Sequence, residues 1–180
     1  MTTIYFVRHG QTISNVENKW AGQIEVPLTR LGILQAKKLQ QECKHLHIDV
    51  IFSSPYKRAI DTCKNISKDH KLHIKTDDRL KERSFGYFEK KEVNPSSKNR
   101  ICDWNSNSDL NANVETIQKM YYYRIKPFIK NVIKKYKNQT ILIVAHSWVG
   151  RLLTFFFSNE KDLDCISKTP NNCELIKFVI

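Results

Sequence analysis

Short apolar runs alternate with stretches of helical periodicity along the whole chain. The apolar runs have the β-branched and aromatic residues of buried strands, and they are residues 3–7, 49–52, 72–75, 140–145 and 174–180. The stretches with apolar residues at helical spacing are residues 29–46, 56–67, 116–136 and 150–157. Strands that alternate with helices predict an α/β fold, a three-layer α/β/α sandwich in which helices cover both faces of a mostly parallel central sheet.

Two of the predicted helices carry signals for their ends and faces. Thr29 is a suitable N-cap for the first helix, because its hydroxyl can accept a hydrogen bond from the first helical turn. The apolar face of that helix is predicted from the spacing of Leu31, Leu34, Leu39 and Cys43. Pro127 lies inside the long pattern at 116–136 and has no N–H to donate, so we expect a kink or a restart of the helix there.

Composition bounds the class of protein. The chain has 180 residues, 41% of them hydrophobic, which suits one domain over residues 1–180. No apolar run approaches the roughly 20 residues of a membrane-spanning helix and no secretory signal is visible, so we expect a cytoplasmic protein with no membrane partner. The five cysteines contain no Cys-x-x-Cys pair and are expected to be reduced thiols. Residues 94–113 are rich in Asn and Ser and are expected to form a lid or a surface loop.

Charge makes anions the expected ligands. The chain has 30 Lys and Arg residues against 18 Asp and Glu residues, a formal charge of +12, and such a field attracts phosphorylated metabolites and nucleic acids alike. Much of the excess lies between Lys119 and Lys137, where Arg124 and the lysines have no acidic partner. A solvated helix face is the simpler interpretation of this stretch, and a nucleic-acid stripe is the alternative.

Arginine and histidine occupy the most polar strand ends. Arg8 and His9 follow the first strand, and His146 follows the clearest one. Arg58 lies at the start of the helix after the second strand. In open parallel sheets these ends converge, so two guanidinium groups and two imidazoles would surround one small volume and repel one another unless an anion filled it. Because the planar fork of arginine donors matches phosphate oxygens, we expect a phosphate ligand.

Five segments resemble the motifs of one known family. They occur in the family's order, and they are residues 8–15, 22–32, 53–62, 80–86 and 145–151. The first reads Arg-His-Gly-Gln-Thr-Ile-Ser-Asn, and together the five are similar to the motifs of the histidine phosphatase superfamily, the phosphoglycerate mutase-like proteins. An Arg-His-Gly run alone would be a weak signal, whereas the ordered set is highly specific.

The resemblance implies a role for each residue that matches a motif. His9 is implied to be the nucleophile that accepts a phosphoryl group, and Glu82 to be the general acid and base. Phosphate or substrate binding is implied for Arg8, Thr12, Asn15, Gly22, Arg58 and His146. The chemistry agrees, because an imidazole is nucleophilic only when neutral and nearby arginines favour its neutral form. No metal and no cofactor is required.

Simpler explanations stay open for some of these residues. Glu82 has basic neighbours on both sides, so a surface ion pair would also explain it. His146 follows a buried strand, so it would also be explained as a satisfied core histidine. Ser147 and Trp148 replace the small residues that usually follow this histidine, and Trp148 would either narrow the pocket or turn away. Glu115 matches a residue of the pocket rim, although the usual preceding glycine is missing.

Chain length separates the two main activities of the family. About 30 residues lie between Gly86 and Thr116, whereas cofactor-dependent mutases usually carry a long insertion there that excludes water. Residues 85–89 also look more like the phosphatase version of the motif. We therefore expect a metal-independent phosphomonoester hydrolase that acts through a phosphohistidine on a small phosphorylated substrate, without nucleic acid. A phosphoglycerate mutase and a non-catalytic phospholigand or nucleic-acid binder are the alternatives. The natural substrate and the oligomeric state stay open.

Overall fold

A five-stranded sheet forms the centre of the protein. The computed structural model describes residues 1–95, 104, 113–159 and 164–180. Its strands are β1 (Thr3–Arg8), β2 (Val50–Ser53), β3 (Ile74–Thr76), β4 (Thr140–Ala145) and β5 (Leu175–Val179). They lie in the order β3-β2-β4-β1-β5. The predicted loop at 94–113 lies outside the described residues, apart from residues 94, 95, 104 and 113.

Strand pairing brings the predicted site residues to one edge of the sheet. β1, β4, β2 and β3 pair in parallel, and only β5 runs antiparallel, against β1. The mostly parallel sheet that the sequence predicts is therefore confirmed. In this register Arg8 lies opposite Ala145, and Ser53 lies opposite Val144. The residues that follow β1, β2 and β4 consequently emerge side by side.

Helices cover both faces of the sheet. The described helices are α1 (Ile13–Val16), α2 (Arg30–Cys43), α3 (Lys57–Asp69), α4 (Ile117–Met120), α5 (Lys126–Lys135), α6 (Ser147–Phe157) and α7 (Asp164–Ser167). α6 begins three residues before the predicted start at 150, because His146 already serves as its N-cap. Within the described residues, no helix is both long enough and apolar enough to cross a membrane.

Alternation along β4 divides the core into two layers. Ile141, Ile143 and Ala145 are buried on one face with residues of α5 and α6. Leu142 and Val144 are buried on the other face with residues of α2 and α3. Burying one such aliphatic side chain contributes about 1.5–3 kcal/mol. The three-layer arrangement predicted from the sequence is therefore confirmed, and both faces of β4 are covered.

Only part of the predicted apolar face of α2 is buried, and this part includes Cys43 at 0% exposure. Leu31 and Leu34 are 50% and 53% exposed, so their predicted burial is wrong, whereas Leu39 is 1% exposed. The Thr29 cap is confirmed, and the Thr29 N–H also donates to the Gln11 carbonyl at 2.9 Å. This contact seats the start of the helix on the loop after β1 and turns the two leucines outward. The helix ends at residue 43, three residues before the predicted end.

The long helical pattern at 116–136 is interrupted at the point where Pro127 predicts it. α4 leads into a π-helical turn, Tyr121–Ile125, and α5 restarts with Pro127 in its first turn. The Lys126 N–H donates to the Tyr121 carbonyl, five residues back, so the turn holds one extra residue. The expectation that Arg124 has no acidic partner is wrong, because its Nη1 pairs with the Glu115 carboxylate at 2.5 Å. The partner was missed because it lies before the helix begins.

The two leucines of α2 provide a test of its orientation. We expect Leu39→Ala to lower the free energy of unfolding by about 2–5 kcal/mol, because it leaves a cavity in the core. Leu34→Ala, on the same helix, should change it by less than about 0.5 kcal/mol, because that side chain is largely in solvent. Urea unfolding followed by circular dichroism measures both values. Equal losses would contradict the observed helix face.

Candidate active site

A cavity of about 460 Å³ opens at the carboxyl edge of the sheet. The predicted site residues that line it are Arg8, His9, Asn15, Gly22, Arg58 and Glu82. Thr12 and His146 are fully buried and do not line it. Residues from β1, the start of α3 and the segment after β3 thus meet in one place, although they are far apart in the sequence.

His9 is a buried imidazole with one ring nitrogen already occupied. Its Nδ1 lies 2.8 Å from the Gly10 carbonyl oxygen, and because a carbonyl only accepts, Nδ1 carries the proton. Nε2 is therefore the nitrogen with a free lone pair. Burial lowers the pKa of His9 well below its ordinary value, and the positive charges of Arg58 and Arg8 lower it further. The ring is neutral at neutral pH.

His146 lies behind His9, with its ring centroid 5.1 Å from that of His9. Arg58 Nε lies 3.3 Å from His146 Nδ1, and a guanidinium only donates, so Nδ1 is unprotonated. The proton is then on Nε2, which donates to Ser54 Oγ at 2.7 Å. Burial, Arg58 and His9 hold the pKa of His146 well below its ordinary value. The two imidazoles are both neutral and have opposite tautomers.

Backbone carbonyls hold Arg58 in place. Its Nη1 donates to the Ile24 carbonyl at 2.6 Å, and its Nη2 donates to the Gly22 carbonyl at 2.9 Å. Gly22 has a φ of +50°, and a Cβ there would collide with the Glu89 carboxylate. A side chain at this turn would be strained, so glycine suits the turn that places a carbonyl against the guanidinium. Because no carboxylate neutralises it through these bonds, Arg58 keeps its positive charge for a ligand.

Arg8 is the second cation of the cavity. Its Nη1 donates to the Pro170 carbonyl at 2.9 Å. Its Nε is buried and has no hydrogen-bond partner within the part of the chain that the structure describes. A buried donor without an acceptor costs free energy, on the order of 1–3 kcal/mol. An anion in the cavity would relieve that cost.

Glu82 is a buried carboxyl group in the lining of the same cavity. Its Oε1 accepts the Arg83 N–H at 2.8 Å and the Trp148 N–H at 3.3 Å, which leaves Oε2 as the position for a proton. Burial raises the pKa of Glu82, and Arg58 and Arg8 only partly oppose that effect. A protonated carboxyl is a proton donor. Its 7% exposure also argues against the alternative of a surface ion pair.

A capping box at α1 fixes Asn15. The Thr12 N–H and hydroxyl both donate to Asn15 Oδ1 at 3.0 Å, and the Thr12 hydroxyl oxygen accepts the Asn15 N–H. The Asn15 carbonyl oxygen is thus occupied, and its amide NH₂ is the group that can donate to an anion. Thr12 itself does not reach the cavity, so its hydroxyl supports Asn15.

Trp148 lines the cavity beside Glu82 and does not turn away from it. Its ring lies 4.6 Å from the Arg151 guanidinium and 4.9 Å from that of Arg83, so it is held between two cations. Its backbone N–H binds Glu82. The side chain is 2% exposed and forms part of the cavity wall.

The sequence analysis did not predict that the segment before β5 forms one wall of the cavity. Asn172 Nδ2 donates to the His9 carbonyl at 2.7 Å, and Thr169 lines the cavity beside it. The Cys173 N–H donates to the Arg8 carbonyl at 2.8 Å. These residues reach the site because β5 pairs with β1, and no local pattern in the sequence indicates that pairing.

The two tautomers can be measured directly. In the ligand-free protein at about pH 6.5, where an ordinary imidazole is half protonated, we expect both His9 and His146 to be neutral. Long-range ¹H–¹⁵N correlation spectra should show the proton on Nδ1 of His9 and on Nε2 of His146, with His9→Ala used to assign the signals. A doubly protonated ring, or the same tautomer in both, would contradict the geometry.

Known proteins are similar to this chain in sequence and in fold. Residues 4–179 match the histidine phosphatase superfamily (branch 1). The chain is 34% identical over 151 residues to putative phosphoserine phosphatase 2 of Hydrogenobacter thermophilus, with 81% of this chain and 73% of that protein covered. It is 32% identical over 174 residues to the uncharacterized phosphatase PhoE of Bacillus subtilis, with 96% and 86% covered. The solved structure of Bacillus stearothermophilus YhfR has a TM-score of 0.87 at 24% identity, over 98% of this chain and 90% of that one. The chain belongs to the histidine phosphatase superfamily.

Proposed function

We propose that this protein is a phosphomonoester hydrolase and that each turnover passes through a phosphohistidine on His9. One observation carries the proposal: His9 is held neutral, with Nδ1 bonded to the Gly10 carbonyl and the Nε2 lone pair left for attack. The phosphatase names of relatives at 32–34% identity support hydrolysis as the outcome. We extend the proposal to small phosphorylated substrates, with phosphoserine as the first to try.

The transferring phosphoryl group is proposed to lie between Arg8 and Arg58. One of its oxygens would accept from the buried Arg8 Nε, and the Asn15 amide would add a neutral donor. Donors that are already in place stabilise charge in the transition state, and losing one typically costs on the order of 3 kcal/mol. We assign supporting roles to two further residues. His146 holds Arg58 through Nδ1, and the Gly22 carbonyl holds it through Nη2.

Both half-reactions use Glu82. In the first, His9 Nε2 attacks phosphorus, the bond to the ester oxygen breaks, and the leaving oxygen takes the proton from Glu82 Oε2. In the second, the ionised Glu82 takes a proton from water, whose oxygen attacks phosphorus, and the P–N bond breaks. Phosphate leaves, His9 is neutral again and Glu82 is again protonated. General acid–base catalysis of this kind contributes roughly 10²–10⁴ in rate.

Loss of the nucleophile tests the proposal. We expect His9→Ala to lower kcat/KM for 4-nitrophenyl phosphate by about four orders of magnitude, measured with a chelator present. The wild-type protein, quenched during turnover of ³²P-labelled substrate, should carry an acid-labile phosphoryl group that this variant lacks. His45→Ala, a change at an exposed histidine, is the matched control and should retain activity. Full turnover in His9→Ala would overturn the assignment.

Hydrolysis, in which water accepts the phosphoryl group, can be distinguished from transfer to a second hydroxyl group of the substrate. With 3-phosphoglycerate as substrate, we expect release of inorganic phosphate to exceed formation of 2-phosphoglycerate by at least about tenfold, an energy difference of about 1.4 kcal/mol between the two barriers. Phosphate is measured colorimetrically and the isomer by a coupled assay. Dominant isomer formation would establish the mutase alternative instead.

A further inference from the structure

The proposed general acid lies on a segment with no regular secondary structure. Glu82 is preceded by a 3₁₀ turn at Asp78–Leu80 and followed by another at Gly86–Phe88, and residues 81–85 belong to no helix or strand. A proton donor works only within hydrogen-bond reach of the leaving oxygen. Because no helical or strand ladder holds this segment, its place depends on contacts with other parts of the chain.

Arg124 binds the segment just before Glu82. Its Nη2 donates to the Lys81 carbonyl in a short hydrogen bond and to the Arg79 carbonyl at 3.3 Å. Its Nη1 donates to Glu115 Oε2 at 2.5 Å. One planar guanidinium therefore joins the chain immediately before the acid to a carboxylate.

Glu115 binds the same segment just after Glu82. Its N–H donates to the Ser84 carbonyl at 3.0 Å, and its Oε2 accepts the Ser84 N–H at 3.3 Å. Its own carbonyl accepts from Arg83 Nε at 2.5 Å. Glu115 and Arg124 thus hold the chain on either side of Glu82 and are bonded to each other.

The pair is largely buried but does not reach the reacting atoms. The side chains of Arg124 and Glu115 are 16% and 12% exposed. Neither lines the cavity that Arg8 and His9 share with Glu82. The pocket-rim position that the sequence suggests for Glu115 therefore corresponds to a place behind the acid segment.

Arg124 lies on the π-helical turn, Tyr121–Ile125, which continues directly into α5, whose apolar face packs on the core. π-helical turns of this kind are frequent at functional sites.

We propose that the Glu115–Arg124 pair is a positioning device for the general acid, which sets how well Glu82 delivers its proton to the leaving oxygen. The proposal rests on the proposed function, since it assumes the phosphatase role of Glu82. Its consequence concerns one class of substrate. Alkyl phosphates release a strongly basic alkoxide that needs the proton, whereas 4-nitrophenyl phosphate releases a weakly basic phenolate that does not.

The experiment compares two substrates in one set of variants. We expect Arg124→Met to lower kcat/KM for glycerol 2-phosphate by about tenfold to 100-fold, and for 4-nitrophenyl phosphate by less than about threefold. The quantity kcat/KM covers the steps up to phosphohistidine formation, so the later activation of water by Glu82 does not enter. Glu115→Gln keeps an oxygen for the Ser84 N–H. It should lower the ratio of kcat/KM for glycerol 2-phosphate to kcat/KM for 4-nitrophenyl phosphate, but by less than Arg124→Met does.

Three comparisons decide the outcome. Glu82→Gln should give the largest change in the ratio, and Lys130→Met, which removes an exposed charge from α5, should give none. Equal losses for both substrates in Arg124→Met and Glu115→Gln would show a purely structural pair and overturn the proposal, as would no loss at all. Absence of turnover in the wild-type protein, or full turnover in His9→Ala, would overturn the proposed function and this inference with it.

Discussion

Two guanidinium groups buried beside two imidazoles set the character of this site. Taking a charge out of water is costly unless partners compensate for it, and acidic side chains usually supply that compensation. Here the partners of Arg58 are the carbonyls of Gly22 and Ile24, and the partner of Arg8 is the carbonyl of Pro170. Carbonyl dipoles stabilise a cation without cancelling its charge. Both guanidinium groups are therefore free of hydrogen bonds to carboxylates among these contacts, which suits a phosphate dianion as the ligand.

Burial shifts the pKa values of His9 and Glu82 in opposite directions, yet both shifts favour the roles proposed for these residues. Removing water favours the neutral form of any group, so it lowers the pKa of His9 and raises that of Glu82. The arginines strengthen the first effect and weaken the second, and for Glu82 burial is the larger cause. One physical cause thus favours a free lone pair on His9 and shifts Glu82 towards its protonated form.

The sequence predicted those parts of the molecule that depend on short-range patterns. The apolar run of β4, the Thr29 cap and the break at Pro127 are local, and each was located correctly. The exposure of Leu31 and Leu34 on α2 goes with a contact between the start of the helix and the loop after β1. The spacing of apolar residues within the helix carries no information about that contact. The same holds for the site. Strand ends indicated Arg8 and His9, whereas Asn172 reaches His9 through the pairing of β5 with β1, and Arg124 pairs with a carboxylate that precedes its helix.

The proposed nucleophile, His9, and the proposed general acid, Glu82, are held by different kinds of structure. His9 directly follows a strand and stays in the ladder, because its N–H donates to the Ala145 carbonyl at 2.9 Å. Moving it would break sheet hydrogen bonds and disturb a core layer. Glu82 lies on an irregular segment that is held by the Glu115–Arg124 pair, by the Trp148 N–H and by the burial of Leu80 and Phe85 on either side. In the proposed mechanism, phosphoryl transfer to His9 is the step common to all phosphomonoesters, whereas the demand for a proton varies with the leaving group. The end of a strand therefore carries the common step, and the irregular segment carries the step that differs between substrates.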